Sequence, residues 1–269
     1  KDEIIAMTSS FHGRTIGALS VGSNKKYKSN IGPVPGKVKF CKFNDVSHLK
    51  KLVNKKTVAI IIEFVQGDGG INICSKNFAK AIKEICKNKK ILLIGDEIQG
   101  GIGRTGKIFA YKHYGVNPDI ITSAKGLGSG IPIGATIVKK YISKIISTGF
   151  HGSTFGGGML QTRVSYNVFR TINNKSFLNK VLINGNLLSS LMKKMHHLHK
   201  DKIVDTRCLG LMAGVEFKNN QIALKTYEKM SKNGLISTLI QGNIIRLTPP
   251  LIVSSEEIRK AIKIITRSL

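Results

Sequence analysis

Lys125 and Asp96 are the two residues on which chemistry can most readily be built. Lys125 lies in Ile120–Val138, IITSAKGLGSGIPIGATIV, and is the only charged residue between Asp119 and Lys139. The chain as a whole is 22% charged, so a lone ammonium in a glycine-rich apolar stretch stands out. Taking an ammonium out of water lowers its pKa. A lysine that can lose its proton near neutrality is a nucleophile and forms Schiff bases with carbonyl compounds. The competing reading is a side chain that snorkels to the surface from a strand end. Asp96 follows ILLIG, at the carboxyl end of an expected buried strand. Alone it reads as a helix cap or a structural ion pair. Lys125 is expected at the end of the next strand but one. Together they offer an amine nucleophile and an anion able to keep a heteroaromatic nitrogen protonated. Pyridoxal phosphate chemistry needs that pair.

Arg246 stands in IIRLTPP, an arginine inside an otherwise apolar strand. A buried guanidinium needs an anionic partner, and its fork suits a carboxylate. A structural ion pair is the alternative. Arg14, in FHGR, has the same two readings. Gly67–Gly70, Gly126–Gly130 and Gly156–Gly158 are tight-turn segments where backbone can approach a ligand. His151-Gly152-Ser153-Thr154 offers hydroxyl donors suited to a phosphate, or an ordinary surface turn.

Two motifs are decoys. Gly101–Gly106, GIGRTG, matches GxGxxG, and Asp119 follows at a tempting distance. A dinucleotide site needs those glycines directly between a strand and its helix, with the acid ending the next strand. Here Asp96–Gly100 intervene, and Asp119 precedes a strand. His196, His197 and His199 have no acidic or cysteine ligand beside them and read as a solvated helix face rather than a metal site.

The elements that must hold these residues follow from hydrophobic spacing. Short apolar runs recur at Ile4–Met7, Val38–Phe40, Val58–Ile62, Ile91–Ile94, Ile120–Thr122 and Ile133–Val138. Helical periodicity fills Val46–Val53 and Asn77–Lys87, the latter with Ser75 as its N-cap. Such alternation implies an α/β fold, a mainly parallel sheet sandwiched by helices. Ligands of such sheets bind beyond the carboxyl ends of the strands. From Met159 to about Lys200 the pattern is helical. A strand at Leu211–Phe217, a helix at Ile222–Asn233 and a strand at Ile244–Leu247 follow. A last helix begins at the capping box Ser254–Glu257. The chain thus divides into a large domain over 1–171 and a smaller C-terminal α+β domain over 172–269.

Composition narrows the function classes. The net charge is +28, from 43 Lys and Arg against 15 Asp and Glu. Charge of this sign invites nucleic acid. Yet the lysines are scattered, no basic block is interleaved with aromatics, and aromatics make up only 6%. Excess Lys, Ile and Asn all have A/T-rich codons, and base drift gives the same bias. No specific nucleic-acid partner is expected. No apolar run reaches membrane-spanning length. The four cysteines lack metal or CxxC spacing and read as reduced, mostly buried thiols of a cytoplasmic protein.

Five segments in order carry a resemblance: SSFHGRTIGALSV at 9–21, EFVQGDGG at 63–70, the run 92–135 containing DEIQ, GRTG, PDI and AKGLG, HGSTFGG at 151–157, and IIRLTPPLIV at 244–253. Together they resemble the class III pyridoxal-phosphate aminotransferases, over nearly the whole chain. Within that family the chain looks most like N-acetylornithine aminotransferases, with ornithine and 4-aminobutyrate aminotransferases as near neighbours. The resemblance implies the fold type I architecture of pyridoxal-phosphate transferases. It also implies a cytoplasmic homodimer and transfer of an amino group to 2-oxoglutarate through a lysine–cofactor Schiff base.

It further implies roles by position. Lys125 matches the Schiff-base lysine that also shuttles the proton. Asp96 matches the carboxylate on the pyridinium nitrogen, and Gln99 the residue near the phenolic oxygen. Phe11 and Ile98 match the two faces of the ring. Thr154 matches the hydroxyl that reaches the phosphate of a neighbouring subunit's cofactor. Arg246 matches the clamp for the α-carboxylate of glutamate and 2-oxoglutarate, Arg14 a second carboxylate-binding arginine. Asp68 stands where the family has a Glu that pairs with the clamp and swings aside. Phe64 replaces the family's Pro, and Gly157-Gly158-Met159 departs from its GGNP. The family's phosphate-binding turn is expected upstream of residue 1. A truncated, non-catalytic relic is the alternative that its absence motivates.

Overall fold

The structure is a computed structural model that describes residues 1–29 and 31–269. The chain runs β1 (Glu3–Met7), α1 (Ile16–Val21), β2 (Lys37–Cys41), α2 (Val46–Leu52), β3 (Thr57–Ile62), β4 (Val65–Gln66), β5 (Asn72–Ile73) and α3 (Lys76–Lys89). It continues with β6 (Leu92–Asp96), β7 (Ile120–Ser123), β8 (Ala135–Val138), α4 (Lys140–Ser143), α5 (Met159–Ile172) and α6 (Lys175–Leu198). It ends with β9 (Ile203–Leu209), β10 (Met212–Phe217), α7 (Asn220–Lys232), β11 (Thr238–Ile240), β12 (Ile244–Leu247) and α8 (Ser255–Ser268).

The main sheet has the order β2-β1-β3-β6-β7-β8. Every pair is parallel except β7–β8, which is antiparallel. The exception has a simple cause. The connection from Lys125 to Ala135 holds only a short 3-10 turn, and a parallel return needs a crossover of a dozen or more residues. One correction concerns Lys125. Its strand β7 pairs directly with β6, so Lys125 and Asp96 end adjacent strands. The segment between them, Glu97–Asp119, forms turns and a 3-10 helix at Ala110–His113 but no strand.

The helices form where capping and periodicity agree. In α3 the Ser75 side chain accepts from the Phe78 amide, and Phe78, Ile82 and Cys86 are buried on one face. Lys90 ends the helix in the left-handed region, at φ 50°. In α8 the Ser254–Glu257 capping box closes both ways. Ser254 N donates to Glu257 at 2.8 Å and Glu257 N to Ser254 Oγ at 3.1 Å.

The two largest cores lie apart. Phe78, Ile60, Ile62, Leu49 and Met7 pack under the main sheet. Phe217, Val215, Ile245, Met192 and Ile265 pack between the antiparallel sheet β11-β12-β10-β9 and helices α6–α8. Phe78 is fully buried and meets Phe43 edge-on at 5.9 Å. Phe78→Ala removes that packing and leaves a cavity, so urea unfolding should show about 3–5 kcal/mol of lost stability.

Candidate active site

Strands β1, β3, β6 and β7 are parallel, so their carboxyl ends share one edge of the sheet. The segment from Thr8 to His12, Glu63, Asp96 and Lys125 follow these ends. Asp96 and Thr122 are register partners, and Thr122 Oγ1 donates to Asp96 Oδ1 at 3.0 Å. The Ile98 amide donates to the same oxygen at 3.1 Å. His12 Nδ1 lies 2.6 Å from Asp96 Oδ2, and both side chains are buried. A carboxylate acceptor fixes the tautomer, with the proton on Nδ1. His12 Nε2 is then buried without a partner among the described residues. Asp96 is therefore a buried carboxylate whose charge is held by three donors.

Lys125 opens a 3-10 turn with φ 46°. A side chain in this left-handed region costs roughly 1–2 kcal/mol. Its amine makes no hydrogen bond among the described residues. The side chain counts as exposed by area, yet protein atoms crowd the ammonium enough to lower its pKa by desolvation. Arg246 pushes in the same direction, while Asp68, Glu63 and Asp96 oppose it. All four groups thus act on one amine.

Arg246, on β12, meets Asp68 Oδ1 at 3.0 Å. Gln99 Nε2 donates to Asp68 Oδ2 at 3.1 Å and to Glu63 Oε1 at 3.3 Å. Glu63 is 2% exposed. Its carboxylate also accepts from the Phe11 amide at 2.9 Å and the Gly67 amide at 3.4 Å. Burial pushes the Glu63 carboxyl up to about 8, the Asp96 charge adds to this, and the two backbone donors oppose it. A Cβ at residue 67 would collide with the Gln99 amide, so glycine there is what lets Gln99 approach.

A cavity of about 790 Å³ opens on this edge. Lys125, Ile98, Gln99 and Arg246 line it, with Ile102, Ile172 and Phe177 forming an apolar end. Asp68 is joined to it through Arg246, and Asp96 through the Ile98 amide. Phe11 is tied in through Glu63. Arg14 reaches the site through Phe11: its guanidinium lies 5.7 Å from the centroid of that ring and 3.8 Å from that of Tyr27, itself edge-on to Phe11 at 6.0 Å. Thr154 sits in the exposed segment 151–157, outside the cavity lining. Sequence reasoning passed over His12, Glu63 and Thr122. His12 and Glu63 lie inside FHGR and EFVQGDGG, so polar residues within those blocks were the available signal.

A mainly parallel sheet with an amine and a buried acid at its carboxyl edge, facing a guanidinium from the small sheet across one cavity, is the arrangement of a cofactor-dependent transferase. The comparisons give the family. Residues 1–269 match the family described as Aminotransferase class-III, and the chain belongs to it. Ornithine aminotransferase 1 of Staphylococcus saprophyticus is 39% identical over 269 residues, covering 99% of this chain and 67% of that protein. Acetylornithine aminotransferase of Methanocaldococcus jannaschii is 41% identical over 260 residues, covering 95% of this chain and 64% of that protein. The crystal structure of ornithine aminotransferase from Toxoplasma gondii superposes with a TM-score of 0.94 at 30% identity, over 99% of this chain and 64% of that one. The chain therefore spans about two thirds of the length of the relatives it matches.

The family depends on pyridoxal phosphate. The residues present fit its reacting end. Lys125 offers a free amine beside the cavity, and Asp96 a buried anion with fixed geometry. The buried Arg246 Nε has no partner among the described residues, which leaves the fork with bonding capacity to spare. Such a set has the chemistry to take an aldehyde, a ring nitrogen and a carboxylate.

Proposed function

We propose that the protein of which this chain is part moves an amino group from N-acetylornithine, or a related ω-amino donor, to 2-oxoglutarate. The carrying observation is the Arg246–Asp68 pair on the wall that also holds Lys125. A carboxylate clamp beside a reactive amine suits a substrate that has both a carboxylate and an amine. The relatives named acetylornithine and ornithine aminotransferase support the donor class. The ornithine-type donor is the second reading, favoured by the first of those relatives.

When bound, pyridoxal phosphate supplies an aldehyde for amines and a ring that draws off an electron pair. Lys125 would be the amine that carries it and would move the proton at the substrate carbon. Asp96 would hold the ring nitrogen protonated. Gln99 would face the phenolic oxygen, and Phe11 and Ile98 the ring faces. Arg246 would bind a substrate carboxylate once Asp68 lets go, and Arg14 the second carboxylate of the donor. Thr154 would reach a partner's cofactor phosphate across a homodimer. Phe155 and Met159, 84% and 89% exposed around that segment, support burial against a second copy. The four free cysteines support a reducing, cytoplasmic setting. Among the described residues no helix is long and apolar enough to cross a membrane.

The test is spectroscopic. Titrating the folded protein with pyridoxal phosphate should produce a visible imine band, and N-acetylornithine should bleach it. A folded protein that shows no band at millimolar cofactor would instead be a non-catalytic relic.

A further inference from the structure

Three side chains of the small antiparallel sheet reach across to the loop that carries Asp68. Arg207, on β9, donates through Nη1 to the Gly70 carbonyl at 2.6 Å and to Asn72 Oδ1 at 2.9 Å. Arg207 is itself braced by Asp205 at 2.7 Å and by Glu216. Gln241, in the turn between β11 and β12, donates through Nε2 to the Asp68 carbonyl at 2.7 Å. Arg246 takes the Asp68 carboxylate. The backbone of this loop is thus held at Asp68 and Gly70, and the Asp68 carboxylate can leave Arg246 only by a side-chain rotation that also breaks its bond from Gln99.

The turn residue points to a purpose. Gln241 has φ 53°, and Gly242 follows at φ 83°. A three-residue turn joins the register pair Ile240–Ile244. Glycine or asparagine sits in the left-handed region at less cost than glutamine. Their side chains are also too short to place an amide where the Gln241 amide lies. The strained residue is the one whose length spans to Asp68.

We infer that Gln241 is a positioning residue for the arginine clamp. By pinning the Asp68 backbone it raises the local concentration of the Asp68 carboxylate at Arg246. Any ligand carboxylate must then displace a competitor that is already docked. An internal competitor multiplies the apparent affinity by the fraction of clamps it leaves free. The small sheet therefore sets how tightly the clamp takes a carboxylate, and it does so through a residue outside the cavity lining. This rests on Arg246 being the carboxylate clamp.

The probe is glutarate, a dicarboxylate with no keto group to react, titrated calorimetrically into the cofactor-loaded full-length protein. Gln241→Gly removes the amide and relieves the backbone strain, so its unfolding midpoint should not fall. It should bind glutarate about 3–10-fold tighter than wild type, the equivalent of one hydrogen bond. Asp68→Asn should tighten binding at least as much. The double variant should match Asp68→Asn alone, because the two act through one contact. Unchanged glutarate affinity in Gln241→Gly, or a double variant in which the gains add, overturns the inference. Arg246→Ala separates the layers. If it binds glutarate as well as wild type, the clamp assignment fails, and with it the basis of the positioning role. If it loses binding while Gln241→Gly changes nothing, only the positioning role fails.

Discussion

Lys125→Ala should abolish the visible imine band on adding pyridoxal phosphate and lower transamination by at least about 10³-fold. The estimate rests on two losses. A positioned general acid–base contributes roughly 10²–10⁴-fold, and the amine that activates the carbonyl disappears with it. The fold should not notice. The side chain is exposed by area and its amine makes no hydrogen bond among the described residues, so the change belongs to the near-neutral surface class. Alanine keeps a Cβ at φ 46°, so the backbone strain is the same in both proteins. The unfolding midpoint of the apo form is the control. Its constancy, with the band gone, assigns the loss to chemistry. The downward push on the Lys125 pKa also gives a pH signature. The neutral amine is the reactive form, so the rate of band formation should level off at a pH below that of ordinary lysine. Added ethylamine should restore part of the proton-transfer rate in the alanine variant. A wild-type-like band in Lys125→Ala would remove this residue from the reaction.

The sequence exposes some of this geometry and hides the rest, for physical reasons. Local signals are legible. The Ser254–Glu257 box and the Ser75 cap are encoded within three residues, and both form. Apolar runs mark the central strands because they are buried, as in β3, where four residues in succession are buried; the edge strands β2 and β8 are only partly covered. The antiparallel turn into β8 was not legible, since strand direction depends on the connection rather than on the strand. The strands β9 and β11 were missed for another reason. Their burial is partial, and β9 has only Ile203 fully covered. Polar networks are the least legible. The His12–Asp96 contact spans 84 residues and the Arg246–Asp68 contact 178. Nothing local distinguishes a buried His12 from a surface one. The GIGRTG segment shows the converse. Its composition suggests a phosphate loop, but Arg104 donates to the carbonyls of Leu211 at 3.1 Å and Pro249 at 2.5 Å and straps the main sheet's edge to the small sheet. The motif resembles a ligand loop because close backbone approach, to a ligand or to another strand, needs the same glycines.

Asp96→Asn should lower turnover by about 10²–10³-fold while leaving the protein folded, and it separates charge from shape more cleanly than any other substitution in the site. The magnitude is that of removing one preorganised electrostatic partner from a buried site. Asparagine keeps an oxygen for the Thr122 hydroxyl and the Ile98 amide, the two donors on Oδ1. Its amide nitrogen then faces His12 Nδ1, which must become the acceptor. The histidine proton moves to Nε2, an atom already buried without a partner among the described residues. That shift costs some stability, about 1–3 kcal/mol for a buried donor left unsatisfied. Asp96→Ala is the harsher comparison. It strands the Thr122 hydroxyl, the Ile98 amide and His12 together, so its unfolding midpoint should fall well below that of Asp96→Asn. Both variants lose the anion. If the charge is what matters, their residual turnover should be similar despite the gap in stability. If turnover instead follows stability, with Asp96→Asn within threefold of wild type, Asp96 holds the sheet edge together and some other group must keep the ring nitrogen protonated.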